Sequence, residues 1–145
     1  MKTAFLTLAA ALVLTGAAHA QKIKAAQVPA AAVAAFYKTF PMVKAVRWEK
    51  EGADFEAGFD MGKAKMSAVI TAAGILKETE KEMAISQLPA SVQKALAANY
   101  KPYKITEAAK IVTAATGTTT YEAEISQTGK HRDVLFNADG TEVKK

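Results

Sequence analysis

The chain of 145 residues contains no cysteine. It therefore has no disulfide, no thiolate nucleophile, no cysteine for lipid attachment at a signal-peptide cut site and no thiolate ligand for a transition metal. Arginine is nearly absent as well, with only Arg47 and Arg132, and aromatic residues make up 8%. A nucleic-acid binder carries a one-sided basic stripe with interleaved aromatics, so nucleic acid is not an expected partner. Histidine is limited to His19 and His131. The apolar run at residues 5–14, broken only by Thr7, is ten residues, and no later stretch is long enough, whereas a membrane-spanning helix needs ~20. Stable membrane insertion is not expected.

That short run has another reading. Lys2 precedes it, and Ala18-His19-Ala20 follows with small residues where a signal peptidase reads. Residues 1–20 are predicted to be a signal peptide cleaved near Ala20, and the product to be periplasmic or secreted. Cleavage would leave 125 residues, carrying 18 basic residues once Lys2 is removed against 14 acidic ones, a net charge of +4. An exported chain without bridges depends on its core. One of ~125 residues can bury enough surface to do so, while a unit of ~55 would be marginal. A single domain over residues 21–145 is expected.

Within it the sequence repeats. Val28-Pro29-Ala30 is answered by Leu88-Pro89-Ala90, an offset of 60. Asp54-Phe55-Glu56-Ala57-Gly58-Phe59 is answered by Thr120-Tyr121-Glu122-Ala123-Glu124-Ile125, and residues 69–74 by residues 135–140, at an offset of 66. Gly62-Lys63 and Gly129-Lys130 match at 67, so the second copy holds a short insertion around residues 113–119. Two units, about 28–83 and 88–144, are fused into one body.

Each unit opens with a helix. Proline is tolerated in a first helical turn, where its missing N–H has no partner. Val33, Phe36, Tyr37 and Phe40 make one apolar stripe, and Val92, Leu96 and Tyr100 the other. The pattern then changes to period two. Phe55, Ala57, Phe59 and Met61 alternate with Glu56 and Asp60; Ala64, Met66, Ala68 and Ile70 form the next inward row. Residues 75–82 are a fourth strand, so charged that an edge or a position solvated on both sides suits it. The second copy repeats the scheme, with Tyr121, Ala123 and Ile125, then Arg132, Val134 and Phe136, and a hairpin at Asn137-Ala138-Asp139-Gly140. Short hairpins exclude parallel crossovers. The expected fold class is α+β: two tandem helix-plus-four-strand antiparallel repeats forming one curved sheet of about eight strands, both helices on one face, with residues 21–27 a loose lead-in. Phe36, Phe40, Phe55, Phe59, Leu96, Tyr121, Val134 and Phe136 are the expected core.

These residues carry a resemblance. The V/L-P-A helix starts, the Phe40-Pro41 helix end, the run Val46-Arg47-Trp48-Glu49-Lys50-Glu51-Gly52, the Tyr/Phe-Glu-Ala strands and the Asn-Ala-Asp-Gly turn resemble the PepSY-like, β-lactamase-inhibitor-like proteins of the bacterial cell envelope. The likeness runs over roughly residues 28–143. It implies a small periplasmic protein of two α-β4 repeats that binds or inhibits another protein, and it implies no catalytic residues. Two departures fall in turns: Pro102 comes one place later than Pro41 does, and Ala72-Ala73-Gly74 lacks the aspartate of its counterpart.

Chemistry is hard to assemble. Ser126, His131 and Asp133 flank a hairpin, with no strand-to-helix elbow to present a nucleophile. Asn137, Asp139 and Glu142 lack the alternating ligands of a calcium loop. Pairs such as Glu78 with Glu80 and Glu122 with Glu124 share a strand face, and their repetition marks a solvated charged face rather than glycosidase chemistry. No enzyme activity, cofactor or metal is expected. Trp48 shares a face with Val46 as a core residue, or anchors an interface. The candidate partner-binding residues are Arg47, Glu49, Glu56, Lys65, Glu122, Glu124 and His131, projecting on the bare face of the sheet, together with Trp48 in its interface reading. The expected function is that of an exported, non-enzymatic module engaging an envelope protein, as an inhibitor or envelope-stress factor. The alternative is a carrier of small apolar ligands between sheet and helices, in space left by Ala32, Ala35, Ala57, Ala68, Ala95 and Ala123. The oligomeric state is left open.

Overall fold

The computed structural model describes residues 21–144; the signal peptide expected over residues 1–20 lies outside them. The first repeat runs β1 (Gln21–Ile23), α1 (Ala30–Thr39), β2 (Arg47–Glu51), β3 (Asp54–Met61), β4 (Ala64–Ile70) and β5 (Leu76–Met83). The second continues with α2 (Ala90–Asn99), β6 (Lys104–Thr113), β7 (Thr119–Gln127), β8 (Lys130–Asn137) and β9 (Glu142–Val143). The strands form a single antiparallel meander in the order β1 to β9, and two helices on one face complete the α+β architecture.

The sheet has nine strands rather than eight, because residues 21–23 are not a loose lead-in. Lys22 pairs with Glu49 and Ile23 with Trp48. The end of β5 repeats this register: Glu82 pairs with Ala109 and Met83 with Ala108. After each comes a 3-10 turn, Ala25–Gln27 and Ile85–Gln87. Each turn is tied by a glutamine side chain, the Oε1 of Gln27 accepting from Lys24 N–H at 2.9 Å and that of Gln87 from Ala84 N–H at 3.2 Å. Each helix is therefore preceded by a paired strand, β1 before α1 and the end of β5 before α2, seven residues ahead of the V/L-P that opens the helix. Both departures in the turns are absorbed. Val43 N–H bonds Phe40 and Tyr103 N–H bonds Tyr100, so the shifted proline leaves the helix exit unchanged. The N–H of Ile75 is taken by Thr71 Oγ1, as that of Thr141 is taken by Asp139 Oδ1.

β5 is central in the sheet, not an edge strand. What it keeps is solvent on both faces, with no residue fully buried. The reason is its place at the seam between two separate cores. α1 covers Trp48, Phe55, Ala57, Phe59, Ala68 and Ile70; α2 covers Ala108, Ala123, Ile125, Val134 and Phe136. Phe36 of α1 stands edge-on to Trp48 and Phe59, at 5.6 and 5.1 Å between ring centres. Four expectations are corrected. Tyr37 and Met61 are exposed, because the α1 stripe is narrower than its apolar residues suggest and Met61 lies at the far tip of β3. Tyr121 and Phe40, expected in the core, are half-buried; the fully buried residues of the Tyr121 strand are Ala123 and Ile125, two and four places on. Ala32, Ala57, Ala68 and Ala123 have no accessible surface, so no water-sized hollow adjoins them. At these four positions they let each helix sit close on the sheet.

The turns before β5 and β9 hold each helix start. A Cβ on Gly74 would meet the Ala31 carbonyl oxygen at 2.6 Å, and one on Gly140 would meet that of Ser91 at 2.6 Å. Both glycines have positive φ, 83° and 87°. Gly74→Ala and Gly140→Ala are each expected to cost about 1–2 kcal/mol from backbone strain alone, with the overlap adding to it. Urea unfolding should show this, while Gly52→Ala, whose Cβ would meet nothing within 4 Å, should lose only the strain component.

Candidate functional site: the open face of the sheet

Strand alternation sends every second side chain away from the helices. In β2, burial of Trp48 turns Arg47, Glu49 and Glu51 outward; in β3, burial of Phe55, Ala57 and Phe59 turns out Glu56, Gly58 and Asp60. Register carries the same parity across the sheet. Val69 stands opposite Glu78, Ser67 opposite Glu80 and Glu80 opposite Ile111. In the second repeat Ala109 pairs with Glu122, Glu122 with Leu135, and Glu124 with Asp133. Of the expected partner-binding residues, Arg47, Glu49, Glu56, Lys65, Glu122, Glu124 and His131 share this face. Trp48 does not: it is 4% exposed beneath α1 and cannot anchor an interface, because its ring completes the first core.

The face is acidic although the chain is basic. Carboxylates stand directly opposite one another at Glu49–Glu56, Glu107–Glu124 and Glu124–Asp133, an arrangement that destabilises a sheet. Two cations share the face: Arg47 lies 3.9 Å from Asp60, and Lys65 lies 3.7 Å from Glu82. The guanidinium of Arg47 occupies the space over Gly58, whose Cβ would stand 3.7 Å from it.

The sheet is also concave. Two adjoining hollows, about 240 and 300 Å³, share Glu56, Ser67, Glu80, Glu122 and Asp133 as walls. Glu56 lies two strands to one side of β5 and Asp133 three strands to the other, yet both border the same trough. Their convergence shows in Glu80. Burial first, then the charges of Glu56, Asp133, Glu78 and Glu51, push its carboxyl up to about 7. The floor is apolar. Ala109 and Ile111 are buried but belong to neither helix-covered core, and half-buried Val69 and Leu135 flank Ile111. Periodicity could not single out this floor, because Ala109 and Ile111 occupy the positions that Glu49 and Glu51 hold in the first repeat, 60 residues earlier.

One line of polar groups resembles a relay. Ser126 Oγ lies 3.5 Å from His131 Nε2, and His131 Nδ1 lies 2.8 Å from Glu124 Oε1. The third member is Glu124, not Asp133, which is nearer to His131 in sequence. The hydroxyl of Thr106, then His131, hold the Glu124 carboxyl below its usual range. Acyl transfer also needs main-chain N–H groups aimed at a developing oxyanion. Here the main chain of Ser126 runs between Lys104 and His131 in the ladder, and its N–H lies in the plane of the sheet, away from the face where the hydroxyl projects. At the last hairpin, Asp139 accepts the Thr141 N–H at 2.8 Å and Glu142 accepts the Tyr100 hydroxyl at 2.8 Å, as structural ties. Among the described residues no group of three His, Asp or Glu side chains could hold a metal ion, and no helix is long and apolar enough to cross a membrane.

A meandering antiparallel sheet with helices on one face and the other face bare defines a β-lactamase-inhibitor-like, or BLIP-like, fold. A BLIP-like protein of Bacteroides fragilis superposes with a TM-score of 0.62 at 22% identity, over 79% of this chain and 82% of its own. A protein of the DUF2874 family from Bacteroides uniformis gives 0.70 at 18% identity, over 80% and 86%. One from Bacteroides eggerthii, provisionally described as periplasmic, gives 0.71 at 16% identity, over 81% and 86%. Identities this low establish the fold. No protein-family model matches the chain, and no curated protein matches it in sequence.

Proposed function

We propose that this is a PepSY-like, exported, non-enzymatic binding module that engages another envelope protein through the concave face of its sheet, as an inhibitor or stress factor. One observation carries the reading: the helices cover one face of a nine-stranded sheet, and among the described residues no element covers the other. The cross-strand carboxylate pairs on that face oppose folding, as expected where a surface serves recognition rather than stability. Likeness of fold to a BLIP-like protein and to a provisionally periplasmic one supports the setting, as do the signal-peptide features of residues 1–20.

A photo-crosslinking amino acid tests it in place. Installed at Glu56 on the open face, it is expected to give discrete protein adducts in the envelope of the producing cell. Installed at Lys38 or Lys94 on the outer surface of the helices, it should give none. Equal labelling from both faces, or adducts only from the helices, would overturn the assignment of the face.

A further inference from the structure

Resting on the sheet-face reading, the geometry points to a partner class: we infer that the trough across β3 to β8 receives a lysine- or arginine-rich protein segment. The stems of its side chains would lie on Val69, Ala109, Ile111 and Leu135, and their cationic heads among Glu56, Glu80, Glu122 and Asp133.

Charge complementarity selects this occupant. The exported chain carries net +4, yet carboxylates crowd one concavity, so its field there is opposite in sign to that of the molecule. An acidic partner drawn by the net charge would meet repulsion at the one face left open. The shape narrows the choice further. A bare divalent cation needs converging oxygens, and no three carboxylates of the described residues converge on a point. Carboxylates outnumber the two cations of the walls, Arg47 and Lys65, and the floor is aliphatic, over a length set by the two joined hollows. Lysine and arginine are themselves apolar along the stem and charged at the tip. The second repeat supplies this floor by placing Ala109 and Ile111 where the first has Glu49 and Glu51. On the trough side the copies keep Glu56 with Glu122 as a wall, and it is the floor that changes, from Glu49 and Glu51 to Ala109 and Ile111. Glu80 adds a signature. A cation docked beside it draws its proton off, so affinity should rise as pH passes upward through about 7.

Fluorescence anisotropy of dye-labelled octalysine and octaarginine with the purified protein tests the inference, with octaglutamate as control. The cationic peptides should bind, more weakly in high salt, and more tightly at pH 8 than at pH 6. Glu56→Gln with Asp133→Asn is expected to weaken binding about tenfold, in line with loss of close charge pairs at an interface. Asp139→Asn with Glu142→Gln removes the same charge from the distant last hairpin and should leave affinity unchanged. A peptide of diaminopropionate, with the same charge on a shorter stem, should bind less well than octalysine. Failure of the cationic peptides to exceed octaglutamate, or equal losses from both double variants, would overturn the inference. Crosslinks from Glu56 to an acidic partner surface would overturn it too, while leaving the sheet-face reading standing; loss of the face-specific crosslinks would remove that reading itself.

Discussion

Replacing Phe59 with alanine is expected to destabilise the protein by about 3–5 kcal/mol, the range for removing a buried phenyl ring from a packed core. Phe59 has no accessible surface. Its ring centre lies 5.1 Å from that of Phe36 and 4.6 Å from that of Phe40, so the cavity would open in the middle of an aromatic cluster with few small residues able to fill it. The corresponding residue of the second core is Ile125, also without accessible surface, and Ile125→Ala should cost about 2–5 kcal/mol. The pair of variants also asks whether the protein is one cooperative unit. The two cores are separate, but β5 is hydrogen-bonded to β4 on one side and to β6 on the other. A main-chain ladder running through the seam should transmit unfolding of either half to the other. Each variant should therefore shift a single urea transition with its slope unchanged. Two resolved transitions, only one of them moved by Phe59→Ala, would show that the repeats unfold separately; an unmoved transition would show that Phe59 does not hold the first core.

Most of this architecture was legible because duplication tests each local reading twice. Alternation in β3 is confirmed by alternation in β7, and a V/L-P helix start by its copy. What escaped was what the first unit alone does not display. β1 is three residues long, with no alternation to read, and becomes visible only when aligned with the end of β5. The charge of β5 was a sound sign of solvent and a misleading sign of position. In most sheets a wet strand is an edge strand; here it is wet because it lies between two cores. The site was half legible. Parity placed seven of the eight candidate residues on the open face, and the same parity, once Phe55 and Phe59 are inward, sends Trp48 to the core with them. Concavity was not legible. That Glu56 and Asp133, 77 residues apart, both act on Glu80 follows from the coiling of the sheet, and no sequence period reports it.

Glu80 is the group in which that coiling becomes measurable, and Glu80→Gln is expected to stabilise the protein at pH 8. The carboxyl lies between Ser67 and Ile111 in the register. Around it are Glu56 of β3, Asp133 of β8, Glu78 of its own strand and Glu51 of β2, and each of these raises its pKa. The nearest cations on the face are engaged elsewhere, Arg47 with Asp60 and Lys65 with Glu82. In the unfolded chain Glu80 releases its proton near 4.5, and in the folded chain near 7. Between those values the native state holds a proton that the unfolded state has lost, so stability falls as pH rises through the window. Above about 7 the penalty is complete; below 4.5 both states are protonated and it vanishes. Moving the group from 4.5 to about 7 corresponds to about 3 kcal/mol at the usual free energy per pH unit. Solvent reaches part of the group, so about 1–3 kcal/mol is the expected gain from the neutral isostere. Thermal melts of the two proteins should therefore coincide near pH 4 and separate by pH 8, with Glu80→Gln the more stable. Gln carries no proton to exchange, so nothing in the packing of the side chain can produce a difference that grows with pH. A constant offset between the melts would locate the effect in packing, and coincident melts at both pH values would mean that the two halves of the face do not converge on Glu80.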